Sequence, residues 1–240
     1  MKKLVLGMVL AMGMTTAFAQ DLNLSGGVSV GSRFLYRGLE LNPDATVGVD
    51  GKVDNILTPG LYVAGQINTL STSPINQTTT RSDVGFGYHN SFGIDGFDAD
   101  VSLHRVWNPS QYASSAYVNP YLNVFQNNYN EVRGTVSYNF GPAKVYGQIG
   151  QIVSTGFSRD TYAAAGVETN ALLPDLTVGA LVSGEHYRNA SVTRLNNTEL
   201  YASYKVWKGL SAEARYSIGG RFVDDSKIDN RGYVGVRYNF

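Results

Sequence analysis

The chain ends with the stretch GYVGVRYNF, residues 232–240, and this stretch decides the fold. Large apolar side chains occupy every second position, at Val234, Val236, Tyr238 and Phe240. Side chains of a β-strand point alternately to its two faces, so this pattern gives one apolar face and one polar face. Chain ends of soluble domains are usually polar and frayed. A terminal phenylalanine therefore indicates that the apolar face meets something other than water.

The same alternation recurs along the chain, most clearly at residues 45–54, 130–140 and 209–218. A helix would need a period of 3.6 residues, and the chain beyond its first segment shows no convincing amphipathic helix. The pattern predicts an all-β protein of about twelve strands, each of a length that crosses a bilayer at a tilt. The predicted strands are residues 24–37, 45–54, 60–69, 81–91, 97–107, 129–140, 143–153, 160–170, 175–187, 197–206, 209–219 and 230–240.

The connections between these strands alternate in length. Five are tight and carry glycine or proline, at residues 58–59, 93–96, 141–142, 173–175 and 208–209. Six are longer and polar, at residues 38–44, 70–80, 108–128, 154–159, 188–196 and 220–229. Short turns on one side and long loops on the other are typical of transmembrane antiparallel up-and-down β-barrels. The alternative, a soluble β-sandwich, does not require such regular alternation.

The first nineteen residues have the features of a cleaved signal peptide. Lys2 and Lys3 precede an apolar run at residues 4–14, and a small-x-small cleavage site follows at residues 17–19. The alternative, a membrane anchor, would need about 20 apolar residues. We therefore expect export and a mature barrel covering residues 20–240, in the outer membrane of a Gram-negative cell.

Composition supports a membrane barrel and argues against other classes. Without the predicted signal peptide, 17 basic residues stand against 19 acidic ones, a net charge of −2 that does not suit a nucleic-acid binder. Only 16% of residues are charged, while tyrosine (16) and glycine (27) are abundant. The chain has no cysteine, so it forms neither disulfides nor thiolate metal sites.

If the apolar phase of each strand faces lipid, the polar phase lines the lumen with two sets of charges. A basic set, opposed only by Glu213, lies on the first, eleventh and twelfth predicted strands: Arg33, Arg37, Arg215, Arg231 and Arg237. An acidic set, accompanied by Lys52 and Arg81, lies on the second, fourth and fifth: Asp50, Asp54, Asp83, Asp98 and Asp100. A basic wall beside an acidic wall would suit a water-filled pore. The alternative is that the charges pair and seal a plugged lumen. Twelve strands do not decide between the two, because side chains fill eight-stranded barrels and barrels of about sixteen or more strands hold an open channel.

Candidates for catalysis are few. No histidine lies in a spaced metal motif; the three are His89, His104 and His186. The fifth predicted strand places Asp98, Asp100, Ser102 and His104 on one face, where a carboxylate could pair with the imidazole. The favoured interpretation is polar lumen lining, so we expect no enzyme activity, no cofactor and no metal.

The stretch GSRFLYRGLELNPDATVGVDGKV, followed by GLYVAGQIN, resembles the TorF-like porin family of proteobacteria. The matching residues are Phe34, Tyr36, Arg37, Gly38, Gly60, Leu61 and Tyr62. The resemblance implies a porin-like barrel but no particular solute. Two interpretations of the Tyr-Arg-Gly motif stay open: Arg37 projects into the outer vestibule, or Tyr36 belongs to the aromatic girdle and Gly38 serves the turn.

These observations favour a passive channel for small polar solutes. The alternatives are a structural or adhesive barrel acting through its outer loops and, third, a barrel enzyme. The Tyr- and Asn-rich loop 108–128 is the best candidate for binding or for folding inward as a constriction. We expect contacts with outer-membrane lipid, and Tyr238 and Phe240 resemble the C-terminal signal read by the barrel-assembly machinery.

Overall fold

A computed structural model describes residues 22–37, 39–72, 77–107, 128–154, 160–188, 191–222 and 224–240. Within these ranges all regular secondary structure is β. None of the residues described forms a helix long and apolar enough to cross a membrane. The predicted signal peptide lies outside these ranges.

Twelve antiparallel strands close into a barrel, and two short strands form a separate hairpin. The strands are β1 (Asn23–Gly31), β2 (Phe34–Tyr36), β3 (Leu39–Asn42), β4 (Thr46–Asp54), β5 (Leu61–Thr72), β6 (Gln77–Asn90), β7 (Phe97–Trp107), β8 (Tyr129–Asn139), β9 (Ala143–Ile152), β10 (Thr161–Leu173), β11 (Leu176–Tyr187), β12 (Val192–Trp207), β13 (Leu210–Gly219) and β14 (Arg231–Asn239). The barrel runs from β1 through β14, β13 and so on down to β4, which pairs with β1 again. The prediction of a twelve-stranded up-and-down barrel is confirmed.

The strand bounds agree with the prediction within two residues at the turn side, except that the predicted strand 160–170 runs on to Leu173, and they differ more at the loop side. The segment 97–107 has the predicted bounds, whereas β5, β6 and β12 extend further into the predicted loops. The largest error concerns the first strand. It ends at Gly31 instead of residue 37, because residues 34–42 leave the barrel wall and form the β2–β3 hairpin.

The C-terminal stretch closes the barrel with its apolar side chains outward. Val28 pairs with Tyr238 and Val30 with Val236, and all four side chains are exposed on the outer face. Phe240 exchanges backbone hydrogen bonds of 3.0 and 3.3 Å with Gly26. A Cβ atom at Gly26 would lie 2.9 Å from the Phe240 ring, so the ring covers the glycine. The terminal phenylalanine is therefore part of the sheet, which leaves no open edge at the closure.

The barrel has two different ends. The start of β1, the C-terminus and the tight turns lie at one end, called the turn end here, where Gly60 (φ 87°) and Gly209 (φ 72°) adopt the left-handed backbone that glycine favours. Large exposed apolar side chains such as Phe92, Phe140 and Trp207 lie beside these turns. The opposite end, where the described strands end before the long connections, is called the loop end here. This arrangement matches a transmembrane barrel with an apolar outer band.

Candidate functional site

The β2–β3 hairpin, residues 34–42, is the feature that shapes the lumen; it is called the inner hairpin here. Tyr36 pairs with Leu39 at its narrow end, and Arg37 lies at the tip. Arg37 has a φ of 53°, a left-handed conformation that is uncommon for a residue other than glycine. Such a conformation persists only where surrounding contacts fix it, which directs attention to the partners of Arg37.

Arg37 binds the opposite wall of the barrel. Its guanidinium forms an ion pair with Glu131 on β8, a side chain with no exposed surface, and stacks 4.3 Å above the Tyr162 ring on β10. Between these strands lies Gly150 on β9, where a Cβ atom would be 2.9 Å from Arg37 Nη2. In the twelve-stranded ring, β9 is six strands from β1 in either direction. The inner hairpin therefore spans the full diameter of the lumen.

The ion pair keeps Arg37 charged in this buried position. Burial alone would lower the pKa of Arg37, but Tyr36 and Glu131 beside it hold that pKa well above its usual value. Separating a buried ion pair by removing one partner typically costs about 3–5 kcal/mol. The contact between hairpin tip and barrel wall is thus a strong anchor.

A second set of contacts fixes the side of the hairpin. The Arg81 guanidinium lies 3.9 Å above the Tyr36 ring and donates a hydrogen bond of 3.1 Å to the Tyr129 hydroxyl. The hydroxyls of Tyr36 and Tyr129 are 3.5 Å apart, and Arg81 and Tyr129 are each 1% exposed. The interpretation of Tyr36 as a girdle residue is wrong, because its ring lies inside the barrel. Arg37 does project into the interior of the barrel, where its side chain contacts Glu131 on the opposite wall. Gly38 lies outside the described residues.

The base of the inner hairpin is fixed by Glu40. This carboxylate accepts hydrogen bonds from Arg33 at 2.6 Å and from Arg231 at 2.9 Å. The prediction that the basic residues are opposed only by Glu213 is therefore wrong: Glu40 pairs with two of them and Glu131 with a third. The alternation pattern could not reveal this, because it treats residues 34–42 as wall and loop.

The remaining predicted arginines also have acidic partners. Arg237 on β14 binds both carboxylate oxygens of Asp50 at 2.7 Å, across β1. Arg215 lies 3.5 Å from Glu213 and 3.7 Å from Glu199. The structure therefore does not maintain separate basic and acidic walls. Partners in the folded barrel come from neighbouring and opposite strands and reduce the net field.

The predicted aspartates divide between two levels of the barrel. Asp83 lies deep in the wall, 2.7 Å from both Arg133 and His104. Asp100 accepts a hydrogen bond of 2.9 Å from Tyr62, nearer the turn end. Asp98 is half exposed and 3.7 Å from His89. The predicted pairing of His104 with a carboxylate of its own strand is wrong; its partner is Asp83 from β6, while Asp98 and Asp100 contact His89 and Tyr62 instead.

Arg133 joins the hairpin contact to the deeper layer. Its Nε atom donates to Glu131 at 2.7 Å, and its Nη2 atom donates to Asp83 at 2.7 Å. A continuous chain of ion pairs thus runs from Arg37 at the hairpin tip to Asp83. Such fully paired buried networks stabilise one arrangement of the lumen.

On the turn-end side of these ion pairs lies a cavity of about 550 Å³ that extends to Asn239 and Phe240. Its polar lining includes Asp50, Lys52, Gln66, His104, Arg133 and Arg237. In the part of the chain that the structure describes, no three His, Asp or Glu side chains are placed to hold a metal ion. The cavity is suited to a hydrated polar molecule, not to a metal centre.

Sequence reasoning missed Glu40 and Glu131 as functional residues. A signal was present: the alternating stretches Phe34-Leu35-Tyr36 and Leu39-Glu40-Leu41 flank the dipeptide Arg37-Gly38, a pattern typical of a two-residue hairpin turn. The other predicted constriction, loop 108–128, lies outside the described residues except for Asn128, so its role stays a prediction.

Comparison with known proteins gives a family but no function. Residues 16–239 match the family described as "Bacterial protein of unknown function (Gcw_chp)". The chain belongs to this family. The family description does not mention TorF-like porins, so that resemblance stays a prediction. No curated protein matches this member of Gcw_chp.

Solved structures show that this Gcw_chp member shares its fold with outer-membrane barrels. A KdgM porin is 12% identical, with a TM-score of 0.58, and the match covers 90% of this chain and 99% of the porin. A NanC porin is 11% identical, with a TM-score of 0.53 and coverage of 90% and 98%. Outer membrane phospholipase A from Escherichia coli is 14% identical, with a TM-score of 0.50 and 93% coverage of both chains. Since porins and an enzyme share the fold, the fold does not choose between these functions.

Proposed function

We propose that the protein is an outer-membrane channel of the porin type, through which small polar solutes diffuse passively. It would be exported by a signal peptide cleaved after residue 19 and folded by the barrel-assembly machinery. The inner hairpin would set the size limit of the channel.

One observation carries this proposal: a polar cavity of about 550 Å³ lies inside a closed barrel with an apolar outer face. A barrel that served only as a scaffold could fill its interior with packed side chains, as eight-stranded barrels do. Twelve strands enclose more space, and the inner hairpin occupies the loop-end half of it. The remaining passage is consistent with a narrow channel.

The charges around the cavity favour selection by size over selection by charge. Asp50 is paired with Arg237, and Arg133 is shared between Asp83 and Glu131. Paired charges produce a weak net field at the distance of a passing solute. We therefore propose neutral or zwitterionic polar solutes of about monosaccharide size as the permeating class.

Swelling of proteoliposomes in uncharged sugars of increasing size tests the proposal. We expect swelling in monosaccharides but not in larger oligosaccharides, and a higher size limit for Arg37→Ala because the hairpin tip loses its anchor. The matched control is Arg105→Ala. That side chain lies on the outer phase of β7, where it donates to Asn130 at 3.1 Å, and its loss should leave the size limit unchanged.

No swelling from folded wild-type protein or from folded Arg37→Ala would contradict the channel. That result would favour the structural or adhesive alternative, in which the outer loops carry the function.

A further inference from the structure

A serine, a histidine and an aspartate meet on the inner wall formed by β6 and β7. His104 Nδ1 lies 2.7 Å from Asp83 Oδ1, and His104 Nε2 lies 3.0 Å from Ser102 Oγ. An ionised carboxylate only accepts hydrogen bonds, so the 2.7 Å contact with Asp83 is a hydrogen bond in the tautomer with the ring proton on Nδ1, and in that tautomer the 3.0 Å contact of Arg133 Nη1 with Nδ1 is not one. The Nε2 atom then holds a lone pair that faces the serine hydroxyl. In this arrangement an imidazole can remove the proton of a nucleophilic serine.

Two glycines on β6 provide the space for these side chains. Gly85 is paired with His104 and Gly87 with Ser102 in the strand register. A Cβ atom at Gly85 would lie 2.4 to 2.8 Å from three atoms of the imidazole ring, and one at Gly87 would lie 2.5 Å from the Tyr62 side chain and 2.7 Å from Ser102 Cβ. The strand opposite the serine and the histidine therefore lacks side chains at the two positions where they would collide.

Charged groups of both signs surround Ser102, His104 and Asp83, which are called the triad here. Arg133 Nη2 donates to the second oxygen of Asp83 at 2.7 Å, so both oxygens of that carboxylate are bound. Arg133 Nη1 also lies 3.0 Å from His104 Nδ1, which places a positive charge beside the ring. The carboxylates of Asp83 and Glu131, both bound to Arg133, offset that charge. A transient imidazolium at His104 is thus not left beside an unbalanced cation.

The triad adjoins the lumenal cavity. Asp83, His104 and Arg133 line this space of about 550 Å³, and Lys52 on its wall forms an ion pair of 2.8 Å with Asp54. Ser102 is 5% exposed, which restricts access to a small acyl group. The cavity would hold the alcohol part of an ester whose acyl part reaches the serine.

We propose that Ser102, His104 and Asp83 form an acyl-transfer site that hydrolyses small polar carboxylic esters inside the barrel. Ser102 Oγ bonds to the carbonyl carbon while its proton passes to His104 Nε2. The bond between the acyl carbon and the alcohol oxygen then breaks, and the alcohol leaves with the proton from His104. Water repeats the sequence: it gives a proton to His104, bonds to the acyl carbon and releases Ser102, which regains its proton.

Labelling with a fluorophosphonate tests this site independently of any channel activity. The serine oxygen forms a bond to phosphorus and fluoride leaves, so mass spectrometry of the folded protein in detergent identifies the labelled residue. We expect the label on Ser102, none on Ser102→Ala, and a labelling rate about 10²–10⁴-fold lower for His104→Ala, the usual range for loss of a general base. The matched control is Ser137→Ala, which removes an inward-facing serine on β8 and should label like wild type.

A further variant tests whether His104 activates Ser102 or whether the presence of the serine alone is enough for labelling. Gly85→Ala keeps all three residues but pushes the His104 ring aside, so it should lose labelling while keeping the gel shift between unheated and boiled barrel. Absence of label on folded wild type overturns the proposal. Equal labelling rates of wild type, His104→Ala and Gly85→Ala also overturn it, because the serine would then not be activated by the histidine.

Discussion

The two halves of the lumen differ in what occupies them. Toward the loop end the inner hairpin crosses the barrel, and its partners Arg81, Tyr129 and Glu131 are at most 1% exposed. Toward the turn end a cavity of about 550 Å³ is lined by charged side chains such as Asp50 and Arg237. The same alternating strands build both halves. The difference comes from the nine residues of the inner hairpin, 34–42, which occupy one half and leave the other free.

This difference indicates which half of the lumen restricts the passage of a solute. In the turn-end half, charged groups are paired but border free space, so they act on a solute only through a weak field. In the loop-end half, the hairpin tip and the opposite wall are in direct contact through Arg37 and Glu131. Changes in the loop-end half should therefore alter how much passes, and changes in the turn-end half should alter which ion is preferred.

Gly150→Val should disrupt the contact between the tip of the inner hairpin and the opposite wall in the loop-end half. A Cβ atom at Gly150 would lie 2.7 Å from Glu131 Oε1 and 2.9 Å from Arg37 Nη2, so the valine displaces the hairpin tip. We expect single-channel conductance to rise about twofold or more, because the freed cross-section is a large part of a twelve-stranded lumen. Gly147→Val is the matched control on the same strand: its Cβ would point outward with no contact closer than 3.8 Å, and conductance should stay at the wild-type value.

Arg237→Gln should have a smaller effect, confined to the turn-end half. It removes the cation bound to Asp50 and leaves one unpaired negative charge beside the cavity. A single charge about 10 Å from an ion in water changes its energy by roughly 0.4 kcal/mol, favourably for a cation and unfavourably for an anion, so the cation-to-anion permeability ratio should rise about fourfold at low salt. Reversal potentials in a salt gradient measure this ratio. An unchanged ratio, or a large change in conductance, would contradict the division into two halves.

The barrel could be predicted from the sequence because its signal is local. Alternation along single strands, visible at Val234, Val236 and Tyr238, shows a strand and its outer face without knowledge of its neighbours. The number of strands and the tight turns follow from the same local pattern. The apolar side chain of Phe240 at the C-terminus is explained by the backbone hydrogen bonds that this residue forms with Gly26 in the closed sheet.

The hairpin and its partners could not be predicted in the same way, because their contacts are not local. Arg37 and Glu131 are 94 positions apart, and either could have served as an ordinary lumenal charge. Which carboxylate meets His104 depends on the register between β6 and β7, which brings Asp83 and not Asp98 or Asp100 to the ring. Alternation within a single strand shows that a charged residue faces inward. Which partner that residue meets depends on how the closed barrel arranges the other strands.

The most direct test of the account is the single-channel conductance of a variant in which residues 34–42 are replaced by a short Gly-Ser linker, compared with wild type in the same planar bilayer. Both proteins should show the gel shift between unheated and boiled samples, because the hairpin is not part of the closed sheet. We predict a wild-type conductance that is small for a twelve-stranded barrel and a clearly larger one for the shortened variant. Equal conductance of the two folded proteins would contradict the claim that the inner hairpin sets the passage through this barrel.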